Sequence, residues 1–309
     1  MVLKILKAEF CFKKLGFGDV HPGRFVYSQW RLPPLVYLLY RLALAAYADY
    51  WIIETGTMME SMRWQNTSTL TNSSSRMLIE YSFPVYLTNW TYLMLCLYLT
   101  LHFLFALFHY CIKFRTSNML SRPHAEGHRA LFNELTLTPT FWDEDRDSEE
   151  TEDAIVKLYS LPWYFKLTWI FYTIATTASV MVTFMFFAFL WPQFDHSKGI
   201  DIINLQLHGI NSVIVVVDLL ISAVPVRLLH AVYAIIYGLI YITFTGIFFA
   251  AGNRSPIYPH VLDWRQPAIT IGVVVGVAVI AVPIVHLVLF GIHRIKVQIY
   301  HKITPWSTL

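Results

Sequence analysis

A hydroxyl and an imidazole held at one depth of a helical bundle can act as nucleophile and general base, because an imidazole titrates near neutral pH. Thr88 and His208 form the one such combination that this sequence suggests. His208 stands in the stretch Asn204–Ser222, which is apolar enough for a membrane helix yet carries amides, a carboxylate and hydroxyls. At about 100° per residue, Asn204, His208, Asn211, Asp218 and Ser222 fall within about 80° of one another. Most of the remaining cylinder is Val, Leu and Ile, with Gln206 the main exception. Polar groups facing lipid are costly, so the stripe should turn toward other helices or a wet cavity. Asn89, Asn204 and Asn211 are the amides that would help hold an oxyanion beside Thr88 and His208.

Other titratable residues fit structural roles. Asp218 lies about 15 Å along the axis from His208, too far to serve it. Depth pairs Asp218 with Arg41 as a buried ion pair, which relieves the cost of either charge alone. A carboxylate that orients His208 would be Asp195, Asp201 or Asp263, and the sequence does not choose among them. His102 and His109 share a helix face, as do His286 and His293, but a metal site needs at least three convergent ligands. They read as packing and interfacial histidines, and no metal is expected. With no Gly-rich phosphate loop, CxxC pair or HExxH, no cofactor is expected either.

The elements that must position these residues are membrane helices. Of 309 residues, 56% are hydrophobic and only 14% charged, well below the quarter usual in soluble domains. A net charge of +3 gives no reason to expect nucleic acid as a partner; membrane lipids are the expected surroundings. Six segments reach the roughly 20 apolar residues that cross a bilayer, near 35–53, 86–112, 162–191, 204–224, 228–250 and 268–290. The expected architecture is all-α, a polytopic integral membrane bundle of six transmembrane helices over 35–290. A basic segment, 1–34, precedes it as an interfacial amphipathic stretch, and a tail, 291–309, follows. No secretory signal opens the chain, so the first span is expected to target and anchor the protein.

Orientation follows from two independent features. Asn66 and Asn72 are glycosylation sequons between spans one and two, and Asn253 is a third between spans five and six, on the same side. Lys and Arg favour the opposite side by about three to one, as the positive-inside rule requires of cytosolic segments. Both termini are therefore expected in the cytosol, with the plasma membrane favoured over the endoplasmic reticulum. The cytosolic loop 113–160 carries the acidic run Asp143–Asp153 and should be solvated and flexible. Cys11, Cys96 and Cys111 imply no structural disulfide; Cys11 and Cys111 lie near the inner face and read as free buried thiols, with palmitoylation the alternative.

Four short patterns carry a family resemblance. Phe25-Val-Tyr-Ser-Gln-Trp-Arg31 precedes the first span and Tyr86-Leu-Thr-Asn-Trp90 opens the second. Leu161-Pro-Trp-Tyr164 opens the third, and His208-Gly-Ile-Asn-Ser212 lies in the fourth. Together they resemble the rolling stone family of animal membrane proteins, whose founding member is associated with myoblast fusion. That resemblance implies a non-enzymatic role in cell–cell adhesion or fusion.

A more distant similarity is to the androgen-induced membrane hydrolases, which cleave fatty acid esters of hydroxy fatty acids. They too have Tyr-Leu-Thr opening one span, His-Gly in a later span and Tyr-Pro near an outer helix end, matched here by Tyr258-Pro259. Their catalytic pair maps onto Thr88 and His208, which implies an intramembrane lipid ester hydrolase acting on a long-chain acyl ester. Asn89-Trp90 and Leu207 depart from the hydrolase pattern beside both residues.

Overall fold

The computed structural model describes residues 8–18, 20–68, 82–120, 161–193, 199–259 and 261–303. Its long helices are α1 (Pro34–Ser68), α2 (Leu87–Leu120), α3 (Trp163–Leu190), α4 (Ile202–Ile221), α5 (Leu228–Ala250) and α6 (Pro267–Ile303). The described residues form no strand, only isolated bridges at Ser28–Ser222 and Tyr258–Leu262. The fold is all-α, and five helices, α2 to α6, are long and apolar enough to cross a membrane. In α1 the apolar run is interrupted by Arg41, Asp49 and Glu54. Its Leu35, Val36, Leu39, Leu42 and Ile53 are exposed along the flank, while Tyr37 and Arg41 are buried in the bundle.

Local chemistry sets the helix ends. Pro34 and Pro267 open α1 and α6, where a missing N–H costs nothing and the fixed φ suits the first turn. Asp201 caps α4, its carboxylate accepting from the Asn204 N–H at 2.9 Å. The C-terminal end of α4 is buried, and its last carbonyls need donors from outside the helix. Gln29 N–H reaches the Ile221 carbonyl at 2.9 Å and Trp30 Nε1–H the Leu220 carbonyl at 2.7 Å. Lys296 Nζ donates to the carbonyls of Leu219 and Ser222, at 2.9 and 2.7 Å.

That demand explains why two terminal segments depart from expectation. Residues 20–29 are buried as a plug at this end of the bundle rather than lying on the interface. Arg227 holds the plug's start through the carbonyls of Gly16 and Gly18, at 2.8 and 2.6 Å, and Phe17 stacks on Tyr233. Residues 291–303, expected in the tail, continue α6 because His293, Lys296, Val297 and Tyr300 keep one buried face.

Three helices each contain a π turn: Phe186–Leu190 in α3, Gln206–Ile210 in α4 and Val277–Ala281 in α6. A π turn takes in one extra residue, so the faces before and after it are offset by about 100° from α-helical register. The stripe expected on α4 is redrawn accordingly. Gln206 is buried, donating to the Tyr92 hydroxyl and accepting from the Tyr47 hydroxyl, both at 2.7 Å. Asn204 is only half-buried, at the helix cap, whereas His208, Asn211 and Asp218 stay buried.

Cys11 and Cys111 are exposed and Cys96 is buried. Asn253 is half-buried, its amide donating to the Phe248 carbonyl at 3.1 Å. The side chain of Asn66, the whole of Asn72 and the acidic run 143–153 lie outside the described residues, as do the rest of the loop beyond 120 and its side chains from 113.

Candidate functional site

At the end of the bundle away from the plug lies a cavity of about 170 Å³, bordered by α2 to α6 and the α5–α6 connection. Its wall is mainly apolar, with residues such as Met185, Val274 and Ile242. Thr88 enters it from the first turn of α2, His208 from the π turn of α4 and Tyr258 from the α5–α6 connection. Each π turn among the described residues borders this space, through Phe186 and Leu190 in α3, His208 in α4, and Val277 and Ala278 in α6. Such turns displace side chains from the α ladder and recur at functional sites.

Around Thr88 the polar contacts converge on one phenol. The Leu87 N–H donates to the Tyr258 hydroxyl at 2.8 Å, and the Thr88 side chain interacts with the same oxygen. Tyr241 also borders the cavity and donates its hydroxyl to the Val85 carbonyl at 3.0 Å. Burial pushes the Tyr258 phenol above its usual pKa, so it keeps its proton and remains a donor. The His208 ring stacks on Phe186, centroids 3.8 Å apart and planes within 4°. Its Nδ1 is buried and makes no hydrogen bond. The His208 carbonyl accepts from the Thr183 hydroxyl, which also meets the hydroxyl of Ser212 at 2.5 Å. Thr88 and His208 face one cavity without a hydrogen bond between them.

The amides expected to support the pair do not line the cavity. Asn89 is buried and donates to the Phe83 carbonyl at 2.6 Å. Asn204 donates to Asp201, and Asn211 to the Leu207 carbonyl at 2.6 Å. Of the carboxylates weighed for His208, Asp201 caps α4 and Asp263 chelates Arg265, at 2.7 Å from Nη2. Asp195 lies outside the described residues.

Arg41 and Asp218 meet toward the plug end, both fully buried, with Nη1 to Oδ1 at 2.6 Å. Tyr40 donates to the same carboxylate at 3.1 Å and Tyr98 to its other oxygen, while Tyr37 accepts from Arg41 at 2.5 Å. His102 joins through Nδ1 to the Tyr98 hydroxyl at 3.1 Å. His109 Nε2 meets the Tyr27 hydroxyl at 3.0 Å.

A second Thr–His contact is absent from the pairs that the sequence suggests. Thr177 Oγ1 lies 2.9 Å from His286 Nδ1, and His286 Nε2 lies 2.9 Å from the Arg227 carbonyl. Only the Nε2–H tautomer satisfies both contacts, leaving Nδ1 to accept from the threonine. Thr177 and His286 are buried one turn beyond Met181 and Val282, which line the cavity. Helix spacing cannot reveal this pair, because it joins residues 109 positions apart on two helices. Among the described residues no three metal-ligating side chains converge.

Comparisons with known proteins agree with the resemblance. Residues 158–307 match the model of the family described as Protein rolling stone. Over 136 residues the chain is 26% identical to Protein rolling stone of Drosophila melanogaster, covering 42% of this chain and 49% of that protein. The chain thus spans about half the length of the curated relative it matches. No solved structure matches. The matched region takes in α3 to α6, and with them His208, Tyr258 and most of the cavity wall. The chain is a multi-pass membrane protein whose second half is similar to the rolling stone family.

Proposed function

We propose that this protein is an intramembrane lipid ester hydrolase with Thr88 as nucleophile and His208 as general base. The observation that carries this reading is that Thr88 and His208, from separate helices, border one apolar cavity together with Tyr258. An acyl chain fits the apolar wall and places its ester at the polar end. Thr88 Oγ attacks the ester carbonyl while His208 takes the hydroxyl proton and returns it to the leaving alcohol. Water then hydrolyses the acyl-threonine to release a carboxylic acid. Asn89, Asn204 and Asn211 are engaged elsewhere, so Tyr258 is the donor we assign to the oxyanion. We further assign α1 as a sixth span, with both termini cytosolic, Asn66, Asn72 and Asn253 on the outer side, and the plasma membrane as location. Substrate reaches the cavity laterally from the outer leaflet.

The test is labelling of protein in lipid with a long-chain fluorophosphonate. Wild type should be labelled at Thr88, while Thr88→Ala, with unchanged gel-filtration profile, should take up no label. Absence of label in folded wild type would overturn the hydrolase reading in favour of adhesion or fusion.

A further inference from the structure

Buried hydroxyls in this bundle are not scattered. On α3, Tyr172, Thr176, Ser179 and Thr183 fall within about 60° of one another at about 100° per residue. They face α4, where the Ser212 hydroxyl donates to the Ser179 carbonyl at 2.9 Å and Thr183 meets Asn211 and Ser212. At the other end of the same seam, Tyr172 comes up to Ser222 and Asp218. The seam therefore joins His208, beside the cavity, to the Arg41–Asp218 pair.

Two hydroxyls along it, Thr176 and Ser179, have no hydrogen-bond partner, and Tyr172 and Ser222 have none beyond each other. None of these residues is more than 3% exposed. Nδ1 of His208 at the cavity end and Nε of Arg41 at the plug end are buried and unbonded as well. Each buried polar group without a partner costs about 1–3 kcal/mol, and native proteins leave few of them. Four such groups, with the Tyr172–Ser222 pair between them, crowd one seam where side chains alone leave them short of partners. Buried polar groups of this kind are satisfied by internal water, which needs two to four polar partners. From Tyr172 to Ser179 is about 10 Å along the axis, the length of roughly three waters in a hydrogen-bonded file.

We propose that the α3–α4 seam is a binding site for a file of ordered water that reaches His208 from the Arg41–Asp218 side. On the hydrolase reading, on which this use of the file rests, it supplies the second half-reaction. Acyl-Thr88 plus one water gives a carboxylic acid plus free Thr88, with His208 taking a proton from that water and passing it to the threonine oxygen. An apolar cavity holding an acyl chain offers no comparable store of water.

Radiolytic hydroxyl-radical footprinting in ¹⁸O-water, on the full chain in lipid nanodiscs, tests the file without any activity assay. Tyr172 should take up ¹⁸O several-fold more than Tyr92, which is equally buried but has its hydroxyl bonded to Gln206. Equal, low uptake at both tyrosines in wild type overturns the file. The double variant Thr176→Val and Ser179→Ala should bring Tyr172 down to the Tyr92 level; a folded double variant with uptake unchanged also overturns it. In a second arm, the same variant should keep fluorophosphonate capture at Thr88 while ester turnover falls at least several-fold. Retained turnover shows that the file does not feed the reaction. If wild type takes no fluorophosphonate, the hydrolase reading fails, and the footprint still decides whether water occupies the seam.

Discussion

Two threonine–histidine arrangements occupy the bundle, and they differ in what surrounds them. Thr177 and His286 are hydrogen-bonded, with the imidazole fixed by the Arg227 carbonyl, but they are sealed beneath Met181 and Val282. Thr88 and His208 are not bonded to each other, yet both border a cavity. Good donor–acceptor geometry is what a buried polar pair needs to be stable. A reacting pair needs instead space for a substrate beside the nucleophile, a base able to come within hydrogen-bond reach of it, and an imidazole whose proton capacity is not already committed. The cavity end has the space, the π turns and the unbonded His208 nitrogen. The plug end has the ion pair, its three tyrosines and the capped α4 terminus. Function and stability should therefore separate along the length of the bundle.

The sharpest break would come from truncating one histidine at each end. His208→Ala should lower ester turnover by about 10²–10⁴-fold, the usual worth of a general base, with little change in thermal stability. His286→Ala should behave the opposite way. It leaves the Arg227 carbonyl and Thr177 hydroxyl without their partner, which costs about 1–3 kcal/mol each where no water replaces it. Turnover measured below the melting temperature should remain near wild type. If the two variants swap phenotypes, the bonded pair is the reacting one and the cavity assignment is wrong.

A smaller effect, confined to stability, sharpens the plug-end half of the comparison. Asp218→Leu strands Arg41 among Tyr37, Tyr40 and Tyr98, fully buried. Breaking a buried pair this way costs about 3–5 kcal/mol. Adding Arg41→Met should restore much of the loss, because the desolvation of an unpaired guanidinium then disappears. The check is thermal unfolding of all three proteins in one detergent. No recovery in the double variant would show that the charges are needed for more than pairing.

The sequence was most readable where one physical constraint acts along the chain. Bilayer thickness makes apolar length informative, which is why α2 to α6 can be read from hydropathy. Arg41 and Asp218 could be matched because each needs a partner at its own depth. Thr88 and His208 were legible as types at a shared level, but the cavity between them was not. Three π turns border it, and a one-residue shift of phase is hard to see in helices that are apolar almost all round. The same shift misplaces Gln206 and Asn204 on any wheel drawn at constant rotation. The plug was illegible for another reason. Leu3, Ile5 and Leu6 among lysines resemble an interfacial helix, while the call for donors at the end of α4 comes from a contact nearly 200 residues away.

The smallest predicted effect tests the plug itself. His21 is buried outside the spans, and its Nδ1 accepts the Gly23 N–H at 3.0 Å to start a short helical turn. Burial, with the neighbouring Arg24 charge, lowers its pKa from 6.5 to about 4. The folded state therefore favours the neutral ring, and the unfolded chain binds the proton first as pH falls. Stability from this group is complete above about pH 6.5 and declines from there toward pH 4. Protonated Nδ1 can no longer accept from Gly23, so the plug should loosen over the same range. Melting temperatures of wild type and His21→Asn, measured from pH 7.5 to pH 4.5, isolate the effect. The asparagine keeps a cap acceptor but cannot titrate, so its curve should be flatter over that interval. Parallel curves would mean that the plug end owes nothing to a neutral His21, and that its seal rests on Arg227 and the α4 carbonyls alone.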